Sequence, residues 1–415
     1  APLLRCRRNS LAAYSSCIFK SKTLWQKLFP TPQAHGIFPL CRRGLEKPAF
    51  PHFHCSPGER DMNHTSPYSQ TPRNILVCQQ RQIGDVLLTT PLLELLKRRW
   101  PQARVTLFTE AKCIPLLEGN PHVDAFLALD KSRLHGLPAQ LAWCRRAAAR
   151  GFDLVVDCQQ LPRCRMLTLF CALSGTETRL SFPSAWTKLG LYNLAAAQKT
   201  DLYAAATKAS LLAPLGIAWQ GEKPRIYLAD EERKEASALL GSLGVSGNMR
   251  LITVDPTHRR ASKRWPAERW ARVLDLLAED DASLRFLLLR GPGEDEDVQS
   301  LKAMCAHADR ILIPDPAPVL RLSAACMARA ALHLGHCSAP RHMAVALDVP
   351  SIVVPGASGP EWNYPSPEHV EFRPELSCSP CGRADCADPQ CLLRVMPEEV
   401  AARARNMLDS LSTPS

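Results

Sequence analysis

Short apolar runs alternate with stretches of helical period along most of the chain. ILVCQQ (75–80) reads as a buried strand. Residues 85–100 follow with Val86, Leu87, Leu93 and Leu96 at helical spacing, closed by Lys97-Arg98-Arg99, cations that suit a helix C-terminus. RVTLF (104–108), DAFLAL (124–129), DLVVDC (153–158) and TRLSF (178–182) read as further strands, with helices near 112–118, 137–150 and 163–173 between them. The pattern then repeats. IYLA (226–229), RLITVDP (250–256), RFLLLRG (285–291), ILIP (311–314), ALHLGH (331–336) and SIVVPG (351–356) read as strands. Helices are expected over 231–243, 266–279, 295–306, 317–329 and 339–347. Strands separated by helices make βαβ units and parallel sheets. The expected architecture is α/β: two Rossmann-like, doubly wound domains facing across a cleft, one over 73–222 and one over 223–415, joined near 219–224.

Residues 1–72 fall outside that pattern. Residues 1–61 hold +7 of the net charge of +11, leaving a mildly basic +4 for the rest. They contain no methionine, and Met62 is the first. A transit peptide, a disordered basic arm and a true start at Met62 are the competing readings, of which the third is favoured. With most of the charge in that leader, nucleic acid is not an expected partner. Mean hydropathy is −0.14 and no apolar run reaches the length of a membrane span. Seventeen cysteines scattered without a secretory signal fit a reducing cytoplasm.

Ligands in doubly wound sheets sit beyond the carboxyl ends of the strands, and five stretches there carry candidate chemistry. Gly84-Asp85 opens the first helix; Asp85 reads as an N-cap or as a carboxylate presented to the cleft as a general base. The loop THRRASKRW holds Thr257 and Lys263 among several cations before a helix, a natural anion site or a solvated basic loop. In GPGED (291–295), Glu294 could accept from ribose hydroxyls or serve the helix dipole. In GHCSAPRHM (335–343), Ser338 is an N-cap candidate and His342 lies in the first turn, together a second anion cradle. Cys378, Cys381, Cys386 and Cys391 fall within fourteen residues, a spacing that admits a structural zinc site, an iron–sulfur cluster or free thiols, with structural zinc favoured.

Taken together, IGDVLLTTPLLELL, DLVVDCQQ, SKRWPAERW, GPGED, HCSAPRHMAVALDVPSIVVPG and the CSPC…C…C stretch before MPEEV resemble glycosyltransferase family 9, the lipopolysaccharide heptosyltransferases, over about residues 74–410. The resemblance implies a GT-B fold and an inverting transfer of heptose from ADP-heptose to the lipid A–Kdo inner core. It implies no cofactor for catalysis, a cytoplasmic location, and peripheral contact with the inner membrane. By the same resemblance the general base falls on Asp85 and the donor-phosphate lysine on Lys263, with Thr257 as a hydroxyl donor. The ribose acid falls on Glu294, and the phosphate-binding helix start on Ser338 and His342. One stretch departs from the family pattern: Cys337-Ser338-Ala339 stands where Asp-Ser-Gly or Asp-Thr-Gly is usual, and a carboxylate is lost. The alternative reading is therefore a degenerate GT-B protein that uses another nucleotide sugar or binds nucleotide without turnover.

Overall fold

The computed structural model describes residues 70–412 apart from Lys131 and Arg133. The expected leader lies almost wholly outside the described residues. The first half runs β1 (Asn74–Cys78), α1 (Ile83–Leu87), α2 (Thr90–Arg99), β2 (Arg104–Glu110), β3 (Ala125–Leu129), α3 (Gly136–Ala148), β4 (Leu154–Asp157), α4 (Pro162–Leu173), β5 (Thr178–Ser181), α5 (Ala185–Lys188), β6 (Leu194–Ala195) and α6 (Ala204–Ala209). The second half runs α7 (Asp230–Ser242), β7 (Arg250–Val254), α8 (Ala267–Asp280), β8 (Leu284–Leu288), α9 (Asp295–Met304), β9 (Ile311–Leu312), α10 (Leu320–Met327), β10 (Leu332–His336), α11 (Ala339–Ala346), β11 (Ser351–Val354), β12 (His369–Glu371), α12 (Gln390–Leu393) and α13 (Pro397–Ser412).

Each half builds one parallel six-stranded sheet, in the orders β3-β2-β1-β4-β5-β6 and β12-β11-β10-β7-β8-β9. Counted from its own first strand, each reads 3-2-1-4-5-6, so the winding reverses between β1 and β4 and again between β7 and β10. Those two crevices are where such sheets take ligands. The central strands are buried on both faces, with Ile75, Leu76, Val77, Val254, Leu334, Ile352 and Val354 inaccessible to solvent. That is why they read as continuous apolar runs rather than alternating ones. Cys78, Cys113, Cys144, Cys158, Cys164, Cys171, Cys305, Cys326 and Cys337 are free and buried, and serve as small apolar side chains. No helix among the described residues is long and apolar enough to cross a membrane.

Three expectations are corrected. The helix expected over 85–100 is two helices. Pro91 has no N–H to give the Leu87 carbonyl, which takes the Thr90 hydroxyl instead (2.8 Å), while the Thr89 hydroxyl donates to Asp85 O (2.9 Å). The strand expected at 226–229 does not form: the Ile226 N–H reaches Ala346 O (3.3 Å), but no neighbouring strand offers a ladder. Ile226 is buried there with Leu240, Leu251 and Met343. The segment expected as a helix near 112–118 is a 3₁₀ turn over Ala111–Leu117 with Pro115 inside it. The short edge strands β6 and β12 and the helix α6 had no signal strong enough to predict them.

Candidate active site

The first crevice presents a carboxylate. Asp85 lies in the first turn of α1 and accepts from the backbone N–H of Gln82 (3.3 Å), closing the capping arrangement that starts the helix. The N-cap itself is Gln82, and Asp85 is the third helical residue whose carboxylate reaches back to it, with its side chain still partly open to solvent. Lys208, which comes from α6 and is nearly buried, places its ammonium 3.3 Å from Asp85 Oδ1 and donates to Gln79 Oε1 at 3.0 Å. The loop carrying Asp85 is braced from β4. Gln159 Oε1 accepts from the N–H groups of Gln80 (3.0 Å) and Arg81 (3.1 Å). Asp157 in turn accepts from Gln159 N, Gln160 N and the Tyr192 hydroxyl at 2.6–3.0 Å.

The second crevice presents cations and an uncapped helix start. Ser338 is the N-cap of α11, yet its hydroxyl caps nothing; it donates to Asp255 Oδ2 at the end of β7. Burial, opposed by the Ser338 bond and aided by nearby Glu294, pushes the Asp255 carboxyl up to about 7. Thr257 is buried two residues on. Lys263 is half-buried, and burial lowers its pKa; Cys337 and Glu361 pull it back up. Among the described residues its ammonium has no ion-pair partner.

The loop before Lys263 is held rigidly. The hydroxyl of Ser262 donates to Arg383 O (2.6 Å) and Ala384 O (2.9 Å), and its carbonyl accepts from Ala357 N (3.1 Å). Gly356 has φ +55°, and a Cβ there would lie 2.4 Å from Ser262 O, so only glycine fits. Glu294 folds onto its own turn, accepting from Gly291 N at 2.6 Å.

Gly84 brings the two crevices together. A Cβ at Gly84 would lie 2.8 Å from His342 Cδ2 and 3.7 Å from the Cα of Ala339, so the Asp85 loop rests directly on the first turn of α11. His342 is buried, and desolvation holds its imidazole at about 3. It packs against Gly84 and 6.1 Å from the Trp362 ring rather than projecting into open space. Its neighbour Arg341, only 1% exposed, binds Glu371 Oε1 at 2.7 Å and also donates to Asn363, but leaves Nη1 without a partner.

Asp85, Ser338 and His342 thus share one neighbourhood, with Lys263 coupled electrostatically to Cys337 beside Ser338, and Glu294 to Asp255. The sequence reading missed Lys208 and Asp255. Lys208 sits in a helix that was not expected, where a lone lysine in an alanine run was the available signal. Asp255 was read only as the end of a strand. A cavity of about 710 Å³ lies at the opposite end of the second sheet, beside Arg250 and Arg405, whose guanidinium groups are matched to Asp281 and Asp280.

Cys378, Cys381 and Cys386 are exposed and Cys391 is partly buried. Among the described residues, no three His, Cys, Asp or Glu side chains are gathered as a metal would need. In this arrangement the four thiols do not form a zinc ligand set, and no chemistry is routed through one.

Two Rossmann-like halves, each built on one parallel six-stranded sheet, have the architecture of the GT-B glycosyltransferases. Solved structures share it. The crystal structure of a glycosyl transferase family 9 protein from Veillonella parvula superposes with a TM-score of 0.71 at 23% identity, over 81% of this chain and 98% of that one. That of the Escherichia coli ADP-heptose LPS heptosyltransferase II gives 0.68 at 17% identity, over 82% of this chain and 100% of that one. The chain belongs to glycosyltransferase family 9 (heptosyltransferase), whose family model matches residues 142–391. It is also 24% identical to lipopolysaccharide heptosyltransferase 3 of E. coli K12, over 71% of this chain and 83% of that protein.

Proposed function

We propose that this glycosyltransferase moves a heptose from ADP-heptose to the lipid A–Kdo inner core of lipopolysaccharide, with inversion. Family membership supports the class of reaction, and the E. coli relatives, named as lipopolysaccharide and ADP-heptose LPS heptosyltransferases, support an ADP-heptose donor and a lipopolysaccharide acceptor in general. The observation that carries the reading is the contact of Gly84 with His342 and Ala339, which seats the loop bearing Asp85 against the first turn of α11.

Asp85 accepts the proton of the attacking acceptor hydroxyl as that oxygen bonds to the anomeric carbon, and Lys208 holds the carboxylate in place. The sugar–phosphate bond breaks on the opposite face, which inverts the anomeric centre. Charge growing on the departing ADP is met by Lys263, by Thr257 and by the N–H groups at the start of α11. On this reading protein cations and dipoles neutralise the leaving group, and catalysis takes no metal. Glu294 would turn from Gly291 to the ribose hydroxyls when nucleotide is bound. A lipid-borne acceptor brings the chain to the cytoplasmic face of the inner membrane as a peripheral protein.

The test is transfer from ADP-heptose to a lipid A–Kdo acceptor by wild type and by Asp85→Asn. A fall in kcat of about 10²–10⁴-fold with ADP affinity preserved is expected. Unchanged transfer by Asp85→Asn would remove Asp85 as base. The second reading, nucleotide binding without turnover, is favoured by Cys337 in place of the family carboxylate. ADP binding without transfer to any core acceptor would establish it.

A further inference from the structure

The start of α11 has a carboxylate beside it that arrives from the adjacent strand. Asp255 ends β7, Ser338 follows β10, and their side chains join across the point where the second sheet reverses its winding. The strand ends approach closely. Asp255 N donates to Leu334 O at 2.8 Å, and a Cβ on Gly335 would lie 3.0 Å from Asp255 Cβ.

Ser338 has the extended backbone of an N-cap (φ −135°, ψ −175°), from which a serine hydroxyl ordinarily accepts an N–H of the first turn. That bond is not made. Pro340 has no N–H, so Arg341 offers the one amide in reach of it. The hydroxyl turns to Asp255 instead, and the amides of Ala339 and Arg341 are left for another acceptor. Arg341, in the same turn, keeps a buried Nη1 without a partner, a second unused donor.

We propose that Asp255 is a positioning residue of the donor site: by accepting the Ser338 hydroxyl it holds the serine oxygen turned away from the first-turn N–H that its lone pairs would otherwise cap, and so keeps the first-turn amides open to the donor's diphosphate. The proposal rests on the donor-site reading above. Burial suits the role. A carboxyl shifted towards neutrality still accepts the hydroxyl bond, while placing less negative charge beside a diphosphate than an ordinary carboxylate would.

ADP titration calorimetry on the full chain tests it, with circular dichroism as the check on folding. Asp255→Ala frees Ser338 to cap α11 and weakens ADP by about fivefold, the size of an N-cap bond that the ligand must then displace. Asp255→Asn keeps an acceptor for the hydroxyl and binds ADP within twofold of wild type. The double variant Asp255→Ala with Ser338→Ala has no hydroxyl to cap the helix and regains most of the loss, which a merely structural role for Asp255 would not allow. Wild-type affinity in Asp255→Ala, a loss in Asp255→Asn equal to that in Asp255→Ala, or a double variant no tighter than Asp255→Ala would each overturn the proposal. Failure of wild type to bind ADP at all would instead overturn the donor reading, and the proposal falls with it.

Discussion

The ammonium of Lys208 lies 3.3 Å from the carboxylate of Asp85, although the two residues come from helices far apart in the chain. The same nitrogen donates to Gln79, so the lysine is held at two points and the carboxylate takes its direction from it. Lys208→Gln removes the charge and shortens the reach. It should lower kcat about tenfold, part of the 10²–10⁴ that a positioned base supplies, with the KM for donor within twofold of wild type. Steady-state transfer kinetics check it. A loss confined to KM would mean that Lys208 serves the donor rather than Asp85.

Gly84 faces His342 with no room for a side chain. Gly84→Ala must displace an imidazole that is itself buried, at a cost of about 1–3 kcal/mol typical of overpacking. Thermal unfolding should show the loss. Adding His342→Ala should return part of it, because the clash is between those two groups. Equal or greater loss in the double variant would place the strain elsewhere.

Arg341 and Glu371 are both nearly buried and lie 2.7 Å apart. Glu371→Ala leaves a buried guanidinium without its acid, and such removals cost about 3–5 kcal/mol. Chemical denaturation should show a lowered midpoint with an unchanged slope. A loss below about 1 kcal/mol would show that Asn363 alone satisfies the arginine.

Ser262 ties the Lys263 loop to the carbonyls of Arg383 and Ala384. Ser262→Ala removes the one hydroxyl proton that these two carbonyls share, a bond worth about 0.5–1.5 kcal/mol, and loosens the lysine. ADP affinity should fall several-fold while the transfer rate at saturating donor is retained. Calorimetry and saturation kinetics separate the two effects. A fall in kcat at unchanged ADP affinity would contradict the assignment of this loop to the donor.

Acid should destabilise the fold. Burial holds His333, His336 and His342 at about 3 and His258 and His369 at about 4, whereas in the unfolded chain they titrate near 6.5. Below that value the unfolded state binds more protons, so stability is lost as pH falls towards 4, by ~2 kcal/mol for each buried ring at pH 5. Asp255, raised to about 7, acts in the opposite direction: its folded form takes the proton first, and its contribution is lost as pH rises from about 4 through 7. Five rings outweigh it, so the unfolding midpoint should drop between pH 7 and pH 5. Asp255→Asn should steepen that drop, and a flat profile would show that the rings reach solvent.

The layered fold was legible because buried parallel strands must be apolar throughout, and β1, β4, β7, β10 and β11 are short enough to stand out between helices. What escaped was set by partners distant in sequence. Pro91 was the local mark of the break in the helix expected over 85–100, but the apolar period that continues across it masked that signal. β6 and β12 are edge strands of two and three residues, held by neighbours rather than by their own composition. At the site, Asp85, Lys263 and Ser338 were legible because strand ends and helix starts are marked by glycine, proline and polar residues. Lys208 and Asp255 were not, because their roles arise only when β1 meets α6 and when β7 meets β10.

The contact of Gly84 with His342 also works as a gauge. A bare Cα on one side and an aromatic edge on the other leave no slack between the loop that carries Asp85 and the first turn of α11, so the two halves of the chain keep their spacing there only while position 84 has no side chain.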